Sequence, residues 1–461
     1  MTFASIEFVF FLLLVVPVHW LLCLAGPRCR NAFLLAASYF FYAWWDVRFL
    51  GLLVLSTVGD YFIGQRLHSA EESARRRWLL LSLFLNFGIL STFKYFGFFL
   101  SSLGLGENEQ VLTLVLPVGI SFYTFQTLSY TLDLYRREIK PAPNFLVFAT
   151  FVAFFPQLVA GPIERAKRLL SQFSDPPSYD QQAMSLGFRV MLWGYFKKLV
   201  IADNCGIGVD VIFANKNAEG LVLALGLVLL SIQIYADFSG YSDIAIGVAR
   251  MLGVELSWNF RSPYLSRNLI EFWHRWHISL STWFRDYLYF SLGGNRAGTG
   301  IWVRNILVTF LLSGLWHGAN WKFLVWGLLH GLLYMTQSKR WAGSVNWSQW
   351  PKIFLTFVVV TLFWLPFRSA SVSDALSFFS RMLRADASLL ALPGTDNLQC
   401  ALLGIVVLLV VEWRTRDRSH PALVLSGYSV FFRHFVYLLG FCSIYLFGNF
   451  VTGYDFIYFQ F

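Results

Sequence analysis

Residues 305–333 read NILVTFLLSGLWHGANWKFLVWGLLHGLL, and no charged side chain stands between Arg304 and Lys322. At the centre, Ser313-Gly314-Leu315-Trp316-His317-Gly318-Ala319-Asn320 sets one imidazole among apolar neighbours. Gly314 and Gly318 flank it. Glycines so placed let helices approach closely and let the backbone break where a ligand must come near. An ionisable group at membrane depth costs free energy and so marks a functional site by default. The alternative is a structural histidine bonded to a neighbouring carbonyl, and this stretch alone leaves both readings open. The rest of the chain reads as scaffolding for it.

Composition settles the class. Apolar residues make up 57% of the 461 and charged residues 13%, against roughly 45–50% and about 25% in soluble domains. The chain is an all-α polytopic membrane protein. Its 48 Phe, 20 Tyr and 18 Trp suit lipid contact and interfacial belts. The five cysteines are scattered without C-x-x-C spacing and suggest neither a metal site nor a disulfide framework. The net charge of +10 fits basic cytoplasmic loops facing anionic lipid. Nothing reads as nucleic-acid recognition.

Taken in order, the segment Ile6–Ala25 is long enough to span, at about 20 residues. It is followed, not preceded, by Arg28 and Arg30, the wrong polarity for a cleavable signal peptide. Shorter spans are expected near Asn31–Trp45 and Phe49–Gly64, then a basic loop Gln65–Arg77. A span over Trp78–Leu100 carries an embedded Lys94, and Val111–Tyr135 returns to a basic loop. Basic and non-basic loops alternate so that the N-terminus faces outward. Asn144–Pro162 holds Pro156, Gly161 and Pro162; it reads either as a Pro-kinked span or as irregular chain buried inside protein. Lys197, Lys198 and Asp203 are placed at a cytoplasmic edge, and Asp237 and Asp243 just beyond the apolar run Leu221–Ala236. Further spans lie near Lys352–Phe367, Leu398–Trp413 and Tyr428–Phe450. Altogether roughly 11–12 spans of about 20 residues are expected, around a core of shorter helices.

The segment Trp258–Arg304 is too polar to face lipid. It contains Phe272-Trp273-His274-Arg275-Trp276-His277-Ile278-Ser279. His274 and His277 are three apart and so lie on one helical face. No carboxylate or cysteine is suitably placed to complete a metal shell, so no metal is expected. The end of the chain is aromatic to its last residue, FIYFQF over 456–461. Such a tail either anchors in the membrane interface or inserts into a pocket and presents the Tyr458 hydroxyl.

Together these motifs resemble the membrane-bound O-acyltransferase superfamily, in its AlgI-type branch of alginate, peptidoglycan and cellulose O-acetyltransferase membrane subunits. The resemblance rests on FYAWWDVRFL at 41–50, PVGISFYTFQTLSY at 117–130, FFPQLVAGPIER at 154–165 and YADFSGYSDIAIG at 235–247. It continues through EFWHRWHISLSTWFRDYLYFSLGGNR at 271–296, SGLWHGANW at 313–321 and the terminal FIYFQF. His274 stands where the family pattern has arginine, and inherits no role. The resemblance implies a single transmembrane domain over residues 1–461 with an aromatic tail at 452–461. It implies acetyl transfer from cytosolic acetyl-CoA, with no permanently bound cofactor, to an extracytoplasmic polysaccharide through a periplasmic SGNH-type acetyltransferase. It also implies that His317 is catalytic, that His277 is the second histidine of the site, and that Tyr458 sits where related systems carry an acyl-relay tyrosine. The expected location is the bacterial inner membrane, with both termini periplasmic.

The residues support such chemistry on their own terms. A thioester is already activated, so an acceptor hydroxyl needs mainly proton removal and positioning. A buried imidazole stays neutral and available as a base near pH 7. His317 is therefore the expected base, and His277 would orient the acceptor or stabilise charge. For the phosphates of CoA the basic candidates are Arg165, Lys167, Arg168, Lys197, Lys198 and Arg275, each equally readable as a lipid-headgroup contact. Two other classes stand beside this one: a lipid or protein O-acyltransferase, and a transporter without chemistry, although no paired halves are visible.

Overall fold

The largest fully buried side chains are aromatic, Arg30 apart. A computed structural model describes residues 1–105, 116–175, 177–296, 298–337, 348–384, 395–450 and 456, and among them all regular structure is helical. Contacts gather into two compact units, Met1–Phe188 with Ala245–Ser257, and Arg189–Ile244 with Trp258–Phe461. Eight helices among the described residues are long and apolar enough to cross a membrane, and the protein is a multi-pass membrane protein. The larger count read from the sequence is approached only by adding apolar helices that are shorter or more polar.

In the first unit, α1 (Ile6–Leu24) starts where Ser5 Oγ accepts the Phe8 N–H at 3.3 Å. Next come α2 (Pro27–Ala43) and α3 (Val47–Ser69), the latter capped by Asp46, which accepts the Arg48 N–H at 2.9 Å. The chain then forms α4 (Glu72–Ser102), α5 (Ile120–Tyr135) and α6 (Phe145–Ala153). Phe8, Phe11, Phe41 and Phe155 are all buried, with Phe11 edge-on to Phe155 at 5.1 Å.

Three expectations change in this unit. The basic loop shrinks to the two residues between Ser69 and Glu72, because α3 and α4 both run further than their apolar cores. Arg75 is buried rather than facing headgroups. Its guanidinium donates to the carbonyls of Leu67 at 3.0 Å, Leu134 at 3.0 Å and Tyr135 at 2.8 Å, near the C-terminal ends of α3 and α5, whose last carbonyls lack helical partners. Residues 154–165 are not a kinked span: α6 ends at Ala153, and irregular, largely buried chain follows one short turn. Irregular backbone at this depth survives only inside protein. The embedded Lys94 donates to Ser121 Oγ at 3.0 Å.

In the second unit, α7 (Gln181–Tyr195, its first residues in unit one) continues through a π-helical stretch, Phe196–Ala202, into α8 (Asp203–Ala214). The helix α9 (Gly220–Met251) is 32 residues long, so Asp237 and Asp243 lie inside it and not beyond its end. Lys197 and Lys198 are buried, not at an edge. Lys197 pairs with Asp243 at 2.7 Å, and Lys198 pairs with Asp203 and Asp237, each at 2.7 Å. Buried charges persist only when paired in this way. The unit is completed by α10 (Leu269–Arg275), α11 (Ile278–Trp283), α12 (Gly298–His317), α13 (Trp321–Thr336), α14 (Gln349–Phe363), α15 (Val372–Met382), α16 (Thr395–Thr415) and α17 (Val430–Phe447).

Candidate active site

His317 is the last residue of α12 and His277 the residue just before α11; both belong to the second unit. The connection from α12 to α13 is tight because the intervening residues are small. Asn320 caps α13 by accepting the Lys322 N–H at 3.0 Å. A Cβ on Gly314 would collide with the Phe323 carbonyl, and one on Gly318 with the Phe323 ring. The two glycines therefore let the hairpin close and hold His317 at its corner. His317 is 5% exposed, with Trp326 at 5.0 Å and Phe367 at 5.4 Å between ring centroids.

His277 reaches the site differently. The chain leaves the helix after Arg275, Trp276 is extended, and His277 takes the left-handed conformation at φ 41° and ψ 54°. That region is costly for a residue with a Cβ and concentrates at functional positions. The segment from Asn259 holds the bend: Ile278 N–H donates to the Asn259 carbonyl at 2.9 Å, and Arg261 N–H to the Arg275 carbonyl at 3.0 Å. The break corrects the shared-face reading of His274 and His277. His274 is exposed, whereas His277 is fully buried.

The His277 imidazole sits in an aromatic enclosure, with Phe238 at 4.7 Å and Trp316 at 5.9 Å. Trp316 in turn meets His317 at 5.1 Å, so one indole touches both histidines. On one edge, His277 Nδ1 lies 3.2 Å from Asn259 Oδ1. On the other, Nε2 has no hydrogen-bond partner among the described residues. Burial holds this imidazole far below its ordinary pKa, at about 3, which keeps it neutral.

Tyr458 lies outside the described residues. Its neighbour in the tail, Phe456, is 0% exposed and packs on Phe238 at 5.6 Å and Tyr241 at 4.6 Å. A cavity of about 580 Å³ borders α10 to α13 and is lined by Trp273, His274, Ser281, Thr309, Ser313 and Tyr334 among others. Ser313 is one helical turn before His317.

The basic candidates fare unevenly. Lys197 and Lys198 are consumed by buried carboxylates. Arg275 pairs with Glu271 at 2.9 Å, and Arg168 donates to Ser257 Oγ at 2.7 Å in the first unit. Two groups escaped the sequence reading. His330 is fully buried among aromatic rings, with Trp326 at 4.7 Å and Phe363 at 4.8 Å; its place in the apolar run was the available signal. Asn259 gave no signal, since a lone asparagine in a polar segment is unremarked until its partners are known.

Comparisons with known proteins bear on this arrangement. The family model described as MBOAT, membrane-bound O-acyltransferase family, matches residues 75–365. The chain is 41% identical over 388 residues to a probable alginate O-acetylase AlgI of Pseudomonas putida, covering 81% of this chain and 79% of the relative. It is 38% identical over 392 residues to a peptidoglycan O-acetyltransferase of Helicobacter pylori, covering 78% and 74%. It is also 27% identical over 285 residues to a teichoic acid D-alanyltransferase of Streptococcus thermophilus, covering 54% and 68%.

Proposed function

Because the chain belongs to the membrane-bound O-acyltransferase family and is an O-acyltransferase, we propose that it passes acetyl from cytosolic acetyl-CoA across the bacterial inner membrane for O-acetylation of an extracytoplasmic polysaccharide. The observation that carries the reading is the pair of buried imidazoles, His317 and His277, joined by Trp316 in a neutral aromatic enclosure. The names of the relatives supply the class of acceptor, a bacterial cell-surface glycan.

In the proposed reaction, His317 takes the proton of an acceptor hydroxyl as its oxygen attacks the thioester carbonyl. The carbon–oxygen bond forms, the carbon–sulfur bond breaks, and the proton goes to the departing thiolate. A base held in this way typically contributes about 10²–10⁴-fold. The cavity lined by Ser313 and Ile278 is within the size range of small-molecule sites, roughly 300–1,000 Å³, and would hold the donor beside the site, although neither His317 nor His277 lines it. The acceptor hydroxyl belongs to Tyr458 as a relay or to an incoming periplasmic partner of the SGNH type. Both chain termini are proposed to be periplasmic, the expectation drawn from the basic segments of the sequence.

The test is chemical analysis of cell-surface polysaccharide from a strain lacking this protein and from the same strain complemented with it. Alkali-labile acetate should be lost from one fraction and restored by complementation. Unchanged acetate in every fraction contradicts the proposal.

A further inference from the structure

Three polar atoms converge on a single amide oxygen beside the site. Asn259 Oδ1 lies 3.2 Å from the backbone nitrogen of Ser279, 2.9 Å from Ser279 Oγ and 3.2 Å from His277 Nδ1. A backbone N–H can only donate. The side-chain atom facing Ser279 must therefore be the oxygen of Asn259, because the reverse orientation would set two N–H donors against each other. A carbonyl oxygen carries no proton, so the His277 nitrogen facing it must supply one. The imidazole is neutral, so one protonated nitrogen leaves the other as a bare lone pair.

We infer that Asn259 is a positioning residue that fixes His277 as the Nδ1–H tautomer, so that Nε2 accepts a hydrogen bond from the hydroxyl of the acyl acceptor. The inference rests on the acyl-transfer reading above and deepens it by dividing the work between the two histidines.

The chemistry at Nε2 follows. This atom is buried and has no partner among the described residues, and an unpaired buried polar atom costs about 1–3 kcal/mol. A thioester carbonyl, or the oxyanion formed from it, offers no proton and cannot satisfy a lone pair. A hydroxyl can. His277 therefore belongs to the acceptor half of the reaction and does not stabilise the oxyanion, which needs a donor from elsewhere. The hydroxyl has a single proton: it rests on Nε2 while the acceptor is bound, then swings about the carbon–oxygen bond to His317, which removes it as the oxygen attacks and returns it to the departing thiolate. The strained backbone at φ 41° has a purpose in this arrangement. It turns the ring so that one edge meets Asn259 and the other meets the enclosure of Phe238 and Trp316.

The test is solid-state nitrogen NMR of membrane-reconstituted protein labelled with ¹⁵N-histidine. The chain has eight histidines, and the His277 pair is the one that disappears in His277→Gln. The expected spectrum has a pyrrole-type Nδ1 and a pyridine-type Nε2. An Nε2–H tautomer in the wild-type protein overturns the inference. Asn259→Asp keeps the acceptor oxygen and should keep the Nδ1 proton. Asn259→Leu removes the oxygen and should shift the pair toward mixed tautomers. Turnover with acetyl-CoA should fall in Asn259→Leu by about tenfold or more, with the KM for acetyl-CoA unchanged. If Asn259→Leu loses turnover only in proportion to folded protein and its tautomer is unaltered, the residue is merely structural and the inference fails. Should Asn259→Leu not fold, the wild-type and Asn259→Asp spectra decide it. An inert wild-type protein with the expected spectrum counts against the acyl-transfer reading, while the tautomer assignment stands.

Discussion

The indole of Trp316 lies edge-on to the imidazole of His277, with ring centroids 5.9 Å apart. Trp316 and His317 are consecutive residues in the last turn of α12, so the bend at His277 and the end of α12 are mechanically joined through one ring. Any displacement of the α12–α13 corner must therefore move Trp316 against His277.

Gly314→Ala tests that coupling. The added Cβ meets the backbone carbonyl of Phe323, which has no flexible end to give way. Overpacking of this kind costs about 1–3 kcal/mol. Acetyl transfer by the variant should fall more than its thermal stability in detergent, because the corner that carries His317 moves. Wild-type activity in stable Gly314→Ala protein contradicts the coupling.

Lys198 should prove essential to the fold rather than to donor binding. Its ammonium is buried between Asp203 and Asp237, at 2.7 Å from each. Lys198→Met leaves two carboxylates without their cation, and breaking a buried pair costs about 3–5 kcal/mol. The monodisperse fraction after heating should drop sharply. Neutralising the partners as well, with Asp203→Asn and Asp237→Asn, should recover part of the loss. A variant with normal heat resistance and weakened acetyl-CoA binding would instead return Lys198 to the list of donor contacts.

Acid should destabilise the protein through His277. Burial lowers its folded-state pKa from 6.5 to about 3, so between those values the unfolded chain binds the extra proton and the folded chain does not. Stability is then fully present above pH 6.5 and is lost as pH falls toward 3, by up to about 1.4 kcal/mol per pH unit. Melting midpoints of wild-type protein and His277→Gln, measured from neutral pH down to about pH 4.5, should show the flatter profile for the variant. Parallel profiles would exclude His277 as a source of the acid sensitivity.

Tyr458 is open to a covalent test. Under the relay reading, mass spectrometry of protein trapped with acetyl-CoA finds acetyl on Tyr458, and Tyr458→Phe is inactive. A fully active Tyr458→Phe variant rules the relay out, and the tail would then serve as an anchor through Phe456, which is buried against Phe238 and Tyr241.

The legible and illegible parts of the site differ for physical reasons. His317 stood out in the sequence because an ionisable group in a charge-free apolar run has few explanations. The all-helical membrane class followed from composition alone. Lys197 and Lys198 were misplaced at an edge because their partners lie about forty residues away on α9, and only packing brings those carboxylates to them. The spacing of His274 and His277 failed to place them on one face because a spacing of three is informative only on an unbroken helix, and this one ends at Arg275. Nothing in the residue pattern announces the left-handed bend at His277, which is held by backbone bonds from Asn259 and Arg261. Asn259 itself became visible only through the three polar atoms gathered on its oxygen.

The most direct test of the account is acetyl transfer by the purified protein in liposomes, supplied with labelled acetyl-CoA and a candidate SGNH-type acetyltransferase as the proposed partner. Wild-type protein should release CoA and pass label to the partner or to Tyr458. His317→Ala, at equal protein and with an unchanged gel-filtration profile, should lose at least about 10²-fold in rate. Transfer by His317→Ala at the wild-type rate would contradict the assignment of His317 as the base and, with it, the reading of this site.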